Sequence, residues 1–115
     1  MFLKNTSIKV WLIQYRIDFR KQHDGLLAEA FKLNLNPYKG DVLIFIGKGR
    51  KKIKVLYADQ NGLWLSYKKF TSEKMKTNFK FLNTINCEEI TLTELALITD
   101  GTRFSIEKTV KNYSY

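Results

Sequence analysis

Six charged or titratable side chains crowd the nine residues 16–24, within the stretch YRIDFRKQHDGLLAEAF that runs from Tyr15 to Phe31. Three kinds of chemistry fit this composition. Carboxylates beside a histidine suit an active site, cations suit phosphate binding, and charges of both signs can neutralise one another at the entry to a helix. The side chains concerned are Arg16, Asp18, Arg20, Lys21, His23 and Asp24.

The active-site interpretation has little support in the rest of the sequence. His23 is the single histidine, which excludes a two-histidine metal site. Cys87, the single cysteine, lacks any context that would pair it with His23 as a nucleophile. Four aspartates could ligate a divalent cation through oxygen, although none of their spacings is diagnostic: Asp18, Asp24, Asp41 and Asp59. We therefore predict a non-enzymatic protein with no catalytic residue, no metal site and no cofactor.

A strongly basic connection, GKGRKK at residues 47–52, is a better candidate for binding phosphates. Two glycines let its backbone turn sharply, and each phosphate that it neutralised would release counterions. It lacks the spacing and the following helix of a P-loop, so a nucleoside triphosphate site is not predicted. A plain charged hairpin tip is the alternative. The cations are Lys48, Arg50, Lys51 and Lys52.

The distribution of charge points the same way. The chain has 20 Lys and Arg against 11 Asp and Glu, a net charge of +9. Residues 39–80 contain eleven of the bases and three of the acids, whereas residues 81–115 contain three bases and five acids. A positive field concentrated in one part of the chain is typical of a surface that binds a polyanion. A solubilising surface in a lysine-rich composition would give the same totals.

The elements that must position these residues are predicted to form one α+β domain over residues 1–115. Strands are indicated at 8–13, 42–47, 53–59, 63–70 and 77–83. We predict an antiparallel β-meander of about four to five strands, built from short connections and not from βαβ crossovers, with one helix before it and one short helix after it. Asn61-Gly62 indicates a hairpin turn. We predict that residues 102–115 are a carboxyl-terminal tail.

Each helix has a predicted start. Asp24 is expected to cap the first helix, whose apolar side would contain Leu26, Leu27, Ala30, Phe31 and Leu33. Thr91 with Glu94 three residues later forms the pattern of a capping box for the second helix, and Gly101 is placed to end it.

Alternation along the strands predicts one apolar face and one mixed face. The mixed face would combine Lys54, Trp64 and Lys68, as in a surface that follows phosphates and stacks on bases. Alternatively, a helix covers Trp64 while the lysines reach past it to solvent. With a single cysteine, no secretory signal and no apolar run of membrane-spanning length, we expect a cytoplasmic protein that does not enter a membrane.

Three ordered motifs resemble one known family. They are DFRKQHDGL at 18–26, FIGKGRKKIKVLYADQNGLWLSYKKF at 45–70 and LTELALITDG at 92–101. Together they are similar to the accessory protein of the insertion sequence sixty-six transposon family, its second open-reading-frame product of the TnpB type, over residues 8–101. The motif positions that stand apart from the basic residues are Asp18, Asp24, Gly25, Asp59 and Gly62. Tyr57-Ala58 departs from the family, whose members often have tryptophan there.

The resemblance implies a protein that assists a separate transposase of the same mobile element. Combined with the charge distribution, it leads us to expect a non-enzymatic accessory factor in transposition whose partners are DNA and the transposase. A protein-only adaptor for the transposase and a metal-dependent nuclease subunit remain alternatives. The expected DNA-contacting residues are Arg20, Lys21, Lys48, Arg50, Lys51, Lys52, Lys54, Lys68 and Lys69.

Overall fold

The computed structural model describes residues 8–71 and 80–100 of the chain. In chain order the strands and helices are β1 (Lys9–Ile13), α1 (His23–Lys32), β2 (Asp41–Ile46), β3 (Lys52–Ala58), β4 (Leu63–Lys69), β5 (Cys87–Ile90) and α2 (Leu92–Asp100). Two single turns of 3₁₀ helix, Pro37–Lys39 and Lys48–Arg50, lie in the connections on either side of β2. The α+β prediction is confirmed.

The five strands form one sheet in the order β4-β3-β2-β1-β5. The β2–β3, β3–β4 and β1–β5 pairs are antiparallel, but β1 runs parallel to β2, with Val10 opposite Val42. The prediction of a purely antiparallel meander without βαβ crossovers was therefore wrong, because β1, α1 and β2 form such a crossover. The first helix also follows a strand of the sheet and does not precede the whole sheet. The continuous apolar run of β2, buried from Val42 to Ile46, is typical of a strand covered on both faces.

The strand predicted at 77–83 was misplaced. Residues 77–79 lie outside the described residues, and residues 80–83 form no strand. Two backbone hydrogen bonds attach the segment before β5 to Gln14. The N–H of Leu82 donates to the carbonyl of Gln14 at 2.6 Å, and the N–H of Gln14 donates to the carbonyl of Asn86 at 3.1 Å. The strand that completes the sheet is β5, whose four residues include two glutamates and so gave no clear strand pattern.

Both faces of the sheet are covered, one by each helix. Ile98 of α2 packs on a buried cluster that includes Leu12, Ile44 and Val55. Leu26 and Ala30 of α1 pack on the opposite cluster, around Phe45. The predicted division into one apolar and one mixed face is therefore corrected, because burial of apolar side chains stabilises both sides of the sheet.

The strand register also separates two lysines that were expected on one face. Lys54 lies opposite Tyr67, and directly opposed residues project to the same side of a sheet. Leu56 and Leu65, another opposed pair, belong to the α1 side. Lys54 is thus on the α1 side, whereas Lys68, opposite Ile53, is on the α2 side.

The start of α2 agrees with the prediction, whereas the start of α1 differs. The capping box of α2 is confirmed, since the N–H of Glu94 donates to Thr91 Oγ1 at 3.0 Å and the N–H of Thr91 donates to Glu94 Oε1 at 2.8 Å. Gly101 lies outside the described residues. Helix α1 begins two residues earlier than expected, with Gln22 in place of Asp24 at the N-cap position, so Asp24 lies in the first turn. Phe31, expected on the apolar side, is 51% exposed.

The predicted hairpin between β3 and β4 is confirmed, but a carboxylate organises it. Asp59 accepts a hydrogen bond from the N–H of Asn61 at 3.1 Å, and its own N–H donates to the carbonyl of Gly62 at 3.0 Å. Residues with positive φ lie elsewhere in the described chain, at Asn34, Gly40, Gly49 and Arg50. The side chain of Asp59, and not a left-handed Asn-Gly pair, therefore holds this turn.

Candidate nucleic-acid interface

The connection between β2 and β3 is a tight basic hairpin. The N–H of Gly47 donates to the carbonyl of Lys52 at 2.8 Å, and the N–H of Arg50 donates to the carbonyl of Gly47 at 3.0 Å. Gly49 has a φ of 82°, in the region that L-residues avoid. A side chain at Gly47 would press on the backbone oxygen and Cβ of Lys52, at 3.3 and 3.2 Å. Both glycines are thus explained by the shape of this turn.

Four exposed lysines lie at this end of the sheet, and we call them the hairpin cluster. Lys69 joins the hairpin lysines because it lies directly opposite Lys52 in the β3–β4 pair. Within residues 8–71 and 80–100, no member of the cluster forms an ion pair. Like charges without nearby carboxylates raise the local positive potential. The members are Lys48, Lys51, Lys52 and Lys69, with Arg50, half-buried, between them in the turn.

Arg20 is exposed but already paired. Its side chain is 91% exposed and makes a two-point ion pair with Asp18, with Nη2–Oδ2 at 2.7 Å and Nε–Oδ1 at 3.0 Å. The N–H of Arg20 also donates to Asp18 Oδ1. These hydrogen bonds hold the pKa of the Asp18 carboxyl well below its usual range. Asp18 therefore stays ionised and compensates the charge of Arg20.

Lys21, another expected phosphate contact, is bound to a carboxylate that the sequence analysis missed. Its Nζ lies 2.5 Å from Glu29 Oε2, while Tyr15 donates to Glu29 Oε1 at 2.9 Å and Lys32 donates to Oε2 at 3.2 Å. Glu29 is only 4% exposed. Burial opposes its ionisation, but hydrogen bonds from Lys21, Tyr15 and Lys32 outweigh it and lower its pKa. Its position one turn after Leu26, just before Ala30, is the signal that could have placed it on the buried side of α1.

Lys54 is buried and fastens the loop before α1 to the sheet. It is 2% exposed, and its ammonium donates to the carbonyls of Phe19 and Lys21, both at 2.8 Å. The ammonium also lies 5.1 Å from the ring centre of Phe19 and 5.4 Å from that of Tyr67. Burial lowers the pKa of Lys54. The side chain thus lies inside the fold, away from any surface that could meet DNA.

Phe19, whose carbonyl accepts from Lys54, also brings the charged stretch before α1 next to the basic hairpin. A Cβ placed on Gly47 would lie 3.5 Å from Cε2 of Phe19, so the ring of Phe19 lies beside the base of the basic hairpin. Phe19 also packs edge-on against Tyr67, with ring centres 6.4 Å apart. The charged stretch before α1 therefore supports the hairpin from the α1 side.

Lys68 is occupied on the other side of the sheet. Its Nζ donates to the carbonyl of Thr99, in the last turn of α2, at 2.6 Å, and lies 4.9 Å from the ring centre of Phe70. A cation at the carboxyl-terminal end of a helix is favourably placed. The structure thus does not bring all nine expected contact residues to one face.

The family-motif residues Gly25 and Asp59 make contacts that stabilise the fold. Gly25 approaches Lys21 so closely that a Cβ would lie 3.0 Å from Lys21 Cβ. Asp59 accepts from Nε1 of Trp64 at 2.9 Å, and this bond, followed by that from Asn61, lowers its pKa. A surface groove of ≈ 470 Å³ lies beside it, lined by His23, Asp59, Asn61, Gly62, Leu63, Trp64 and Leu65.

The carboxylates considered as metal ligands do not come together. Asp41 accepts from Nε1 of Trp11 at 3.0 Å and from the N–H of Asn36 at 2.8 Å, so it serves the crossover into β2. Over the residues that the structure describes, no three His, Cys, Asp or Glu side chains are grouped so as to hold a metal ion. No helix in that part of the chain is long and apolar enough to span a membrane.

Comparison with known proteins agrees with the sequence motifs. The family model described as IS66 Orf2 like protein matches residues 8–109, which is most of the chain. The chain therefore belongs to the IS66 Orf2 like protein family, which confirms the resemblance and supports an accessory role in transposition of an insertion sequence. Searches of curated proteins and of solved structures returned no match.

Proposed function

We propose that this protein is a non-enzymatic accessory factor that binds duplex DNA through the hairpin cluster and thereby assists the transposase of its element. One observation carries the proposal: the four lysines of the cluster are exposed at one end of the sheet, with no ion pair among the described residues. Lys21, Lys54 and Lys68, by contrast, are bound to groups of the protein itself.

The chemistry of the cluster suits phosphates and not base edges. A lysine ammonium is a compact point charge that contacts phosphate oxygens and carries no sequence information. Neutralising phosphates releases condensed counterions, so affinity falls steeply as salt rises. The cluster is therefore expected to hold the protein on DNA in a salt-dependent manner, with any recognition of the element ends supplied by the transposase.

The motif before α1 has a supporting role in this proposal. Lys54 and Phe19 fix that loop against the hairpin, and Arg20 lies exposed on it with its charge compensated by Asp18. We therefore exclude Lys21, Lys54 and Lys68 from the proposed interface and retain Lys48, Arg50, Lys51, Lys52 and Lys69, with Arg20 at its margin.

The test is a salt titration of binding to a duplex from the element end and to an unrelated duplex. The Lys48→Gln/Lys51→Gln variant removes two charges from the hairpin. Its matched control, Lys9→Gln/Lys39→Gln, removes two exposed lysines at the opposite end of β1 and β2. The hairpin variant is expected to lower affinity roughly ten-fold or more and to reduce the log–log salt slope by about 2, or about 1 per lost phosphate contact. The control is expected to change either by much less.

Three results would count against the proposal. Absence of salt-sensitive binding at low ionic strength would remove DNA as a partner and favour a protein-only adaptor for the transposase. Equal losses in the hairpin variant and the control would show that net charge, and not this surface, is responsible. Magnesium-dependent DNA cleavage that is lost in Asp18→Ala would overturn the non-enzymatic assignment and favour a nuclease subunit.

A further inference from the structure

Strand β4 is a long strand at one edge of the sheet. All seven residues from Leu63 to Lys69 pair with β3 on one side, and in the described part of the chain no strand lies on the other side. Both of its aromatic side chains are exposed at the surface, Trp64 to 42% and Tyr67 to 55%. Open edges of this length are templates for pairing with another strand.

The hydrogen bonds to β3 determine which backbone groups of β4 face outward. The N–H of Asp59 donates to the carbonyl of Gly62, and the N–H of Phe70 donates to the carbonyl of Lys51, both in the register of the β3–β4 pair. Alternate residues of an antiparallel strand exchange bonds with the same neighbour. Even-numbered residues of β4 therefore bond to β3. The N–H and C=O groups of the odd-numbered residues point to the open edge, namely those of Leu63, Leu65, Tyr67 and Lys69.

We propose that β4 is a self-association surface, on which a second copy of this chain pairs antiparallel about a two-fold axis at Ser66. In this register Leu63 faces Lys69 of the second copy and Leu65 faces its Tyr67. All four outward residues then fall in pairs that exchange two backbone hydrogen bonds each. A shift by two residues leaves Leu63 or Lys69 without a partner in the strand, and a shift by one opposes outward residues to inward ones.

The side chains in this register are complementary. Trp64 faces Lys68 of the second copy on the α2 side, and an ammonium over an indole is a favourable pair. Asp59, whose carboxylate accepts the hydrogen bond of that indole, adds negative charge where the lysine arrives. The ammonium of Lys68 has three donors, so it can keep its bond to Thr99 while it meets the partner. No lysine of β4 faces another lysine, which removes the repulsion that edge lysines usually provide.

The residue on the axis also fits. Ser66 would face its own copy in a pair without mutual hydrogen bonds, where the Cα atoms come closest, to about 4.5 Å. A small side chain is needed at so close an approach, and Ser66 is exposed and bonded only weakly, to the hydroxyl of Tyr57 at 3.3 Å. A two-fold dimer of this kind is closed and buries the β4 edge of each copy.

The other edge of the sheet does not offer the same fit. Strand β5 has four residues, and two-fold pairing about its centre would set Glu88 against Glu89 of the second copy. Directly opposed like charges destabilise a strand pair. Strand β4 is therefore the better edge for self-association, because it is longer than β5 and its two-fold register opposes no like charges.

The experiment combines sedimentation with disulfide trapping of the full chain. Wild type is expected to show a concentration-dependent monomer–dimer equilibrium by analytical ultracentrifugation. Ser66→Glu, which places two carboxylates on the axis, is expected to sediment as a monomer, whereas Gln60→Glu, with the same added charge in the β3–β4 turn, is expected to dimerise. Under mild oxidation Ser66→Cys should give a disulfide-linked dimer, because the Cα separation on the axis lies within disulfide range. Gln60→Cys, exposed but away from the axis, should not.

The outcomes separate this dimer from its competitors. A wild-type chain that stays monomeric at every concentration would overturn the proposal. A dimer that persists in Ser66→Glu, or cross-linking that is equally efficient in Gln60→Cys and Ser66→Cys, would place the contact elsewhere and overturn it too. If the wild-type chain is a monomer, and if Ser66→Glu abolishes its binding to purified transposase, the β4 edge would be a contact for the transposase and not for a second copy. Circular dichroism of each variant checks that a loss of dimerisation does not result from a loss of folding.

Discussion

The loop before α1 and the hairpin between β2 and β3 are both rich in cations, yet the structure uses them in opposite ways. In the loop, Arg20 and Lys21 meet Asp18 and Glu29, and the backbone itself is bound by Lys54 from the sheet. In the hairpin, the lysines are exposed without such partners among the described residues. The comparison teaches that the density of charge in a sequence does not locate a binding surface. What distinguishes the lysines of the two regions is whether a carboxylate of the described residues forms an ion pair with them.

The largest effect on stability is expected from Lys54, which belongs to the first region. Lys54→Met keeps much of the side-chain volume but leaves the carbonyls of Phe19 and Lys21 without their donor, and we expect unfolding to become about 3 kcal/mol easier. Lys52→Met, two residues away and exposed, should change stability by less than about 0.5 kcal/mol. Urea unfolding of both variants checks the contrast, which would fail if the two substitutions had similar effects.

A smaller effect with a pH signature is expected from Glu29. Glu29→Gln should destabilise the chain by about 2 kcal/mol at neutral pH, because it weakens a buried acceptor that serves Lys21, Tyr15 and Lys32. The pKa of Glu29 is lowered in the folded state, so its contribution is complete above the ordinary value of 4.5 and is lost as the pH falls through the folded pKa.

The measurement is the difference in unfolding free energy between wild type and Glu29→Gln across acid and neutral pH. The difference should be constant near neutrality and should shrink below about pH 4.5. A difference that grew on acidification would show that the folded carboxyl has a raised pKa, contrary to the hydrogen bonding described.

The smallest effect is expected in the hairpin backbone. Gly49→Ala forces a side chain into a φ of 82° and should lower stability by about 1 kcal/mol, although nothing lies within 4 Å of the new atom. Gly62→Ala is the matched control, since Gly62 lacks a positive φ and its nearest neighbour would be Asp59 Oδ1 at 3.9 Å. Thermal unfolding of the two variants compares them, and equal shifts would mean that the conformation of Gly49 is not what limits the hairpin.

Local features of the fold could be predicted from the sequence, whereas long-range ones could not. The capping box of Thr91 and Glu94 and the location of the turn at Asn61-Gly62 depend on residues a few positions apart, so local patterns could predict both, although Asp59 holds the turn. The parallel pairing of β1 with β2 depends on where α1 packs, which alternation does not reveal. Strand β5 could not be predicted from alternation, because the charged residue Glu88 occupies one of its buried positions.

The same limit applies to the candidate site. The hairpin lysines could be recognised as a basic group from sequence, because Lys48, Lys51 and Lys52 lie within five residues of the chain. The burial of Lys54 could not, since it depends on carbonyls 33 and 35 residues away. Alternation placed Lys54 on the mixed face with Trp64 and Lys68 but could not tell that its side of the sheet is covered by α1 and the preceding loop. A lysine at a buried strand position with an aromatic residue opposite is the pattern to look for in such cases.

The position of β1 between β2 and β5 has a consequence for synthesis of the chain. Val10 is opposite Val42 on one side and Ile90 on the other, so β1 pairs with a strand, β5, that is synthesised about 80 residues later. A nascent chain that ends at Thr71 contains β2, β3 and β4 in full but leaves one edge of β1 open. A translation product that ends at Thr71 is therefore expected to expose the edge of β1 that β5 covers in the folded protein.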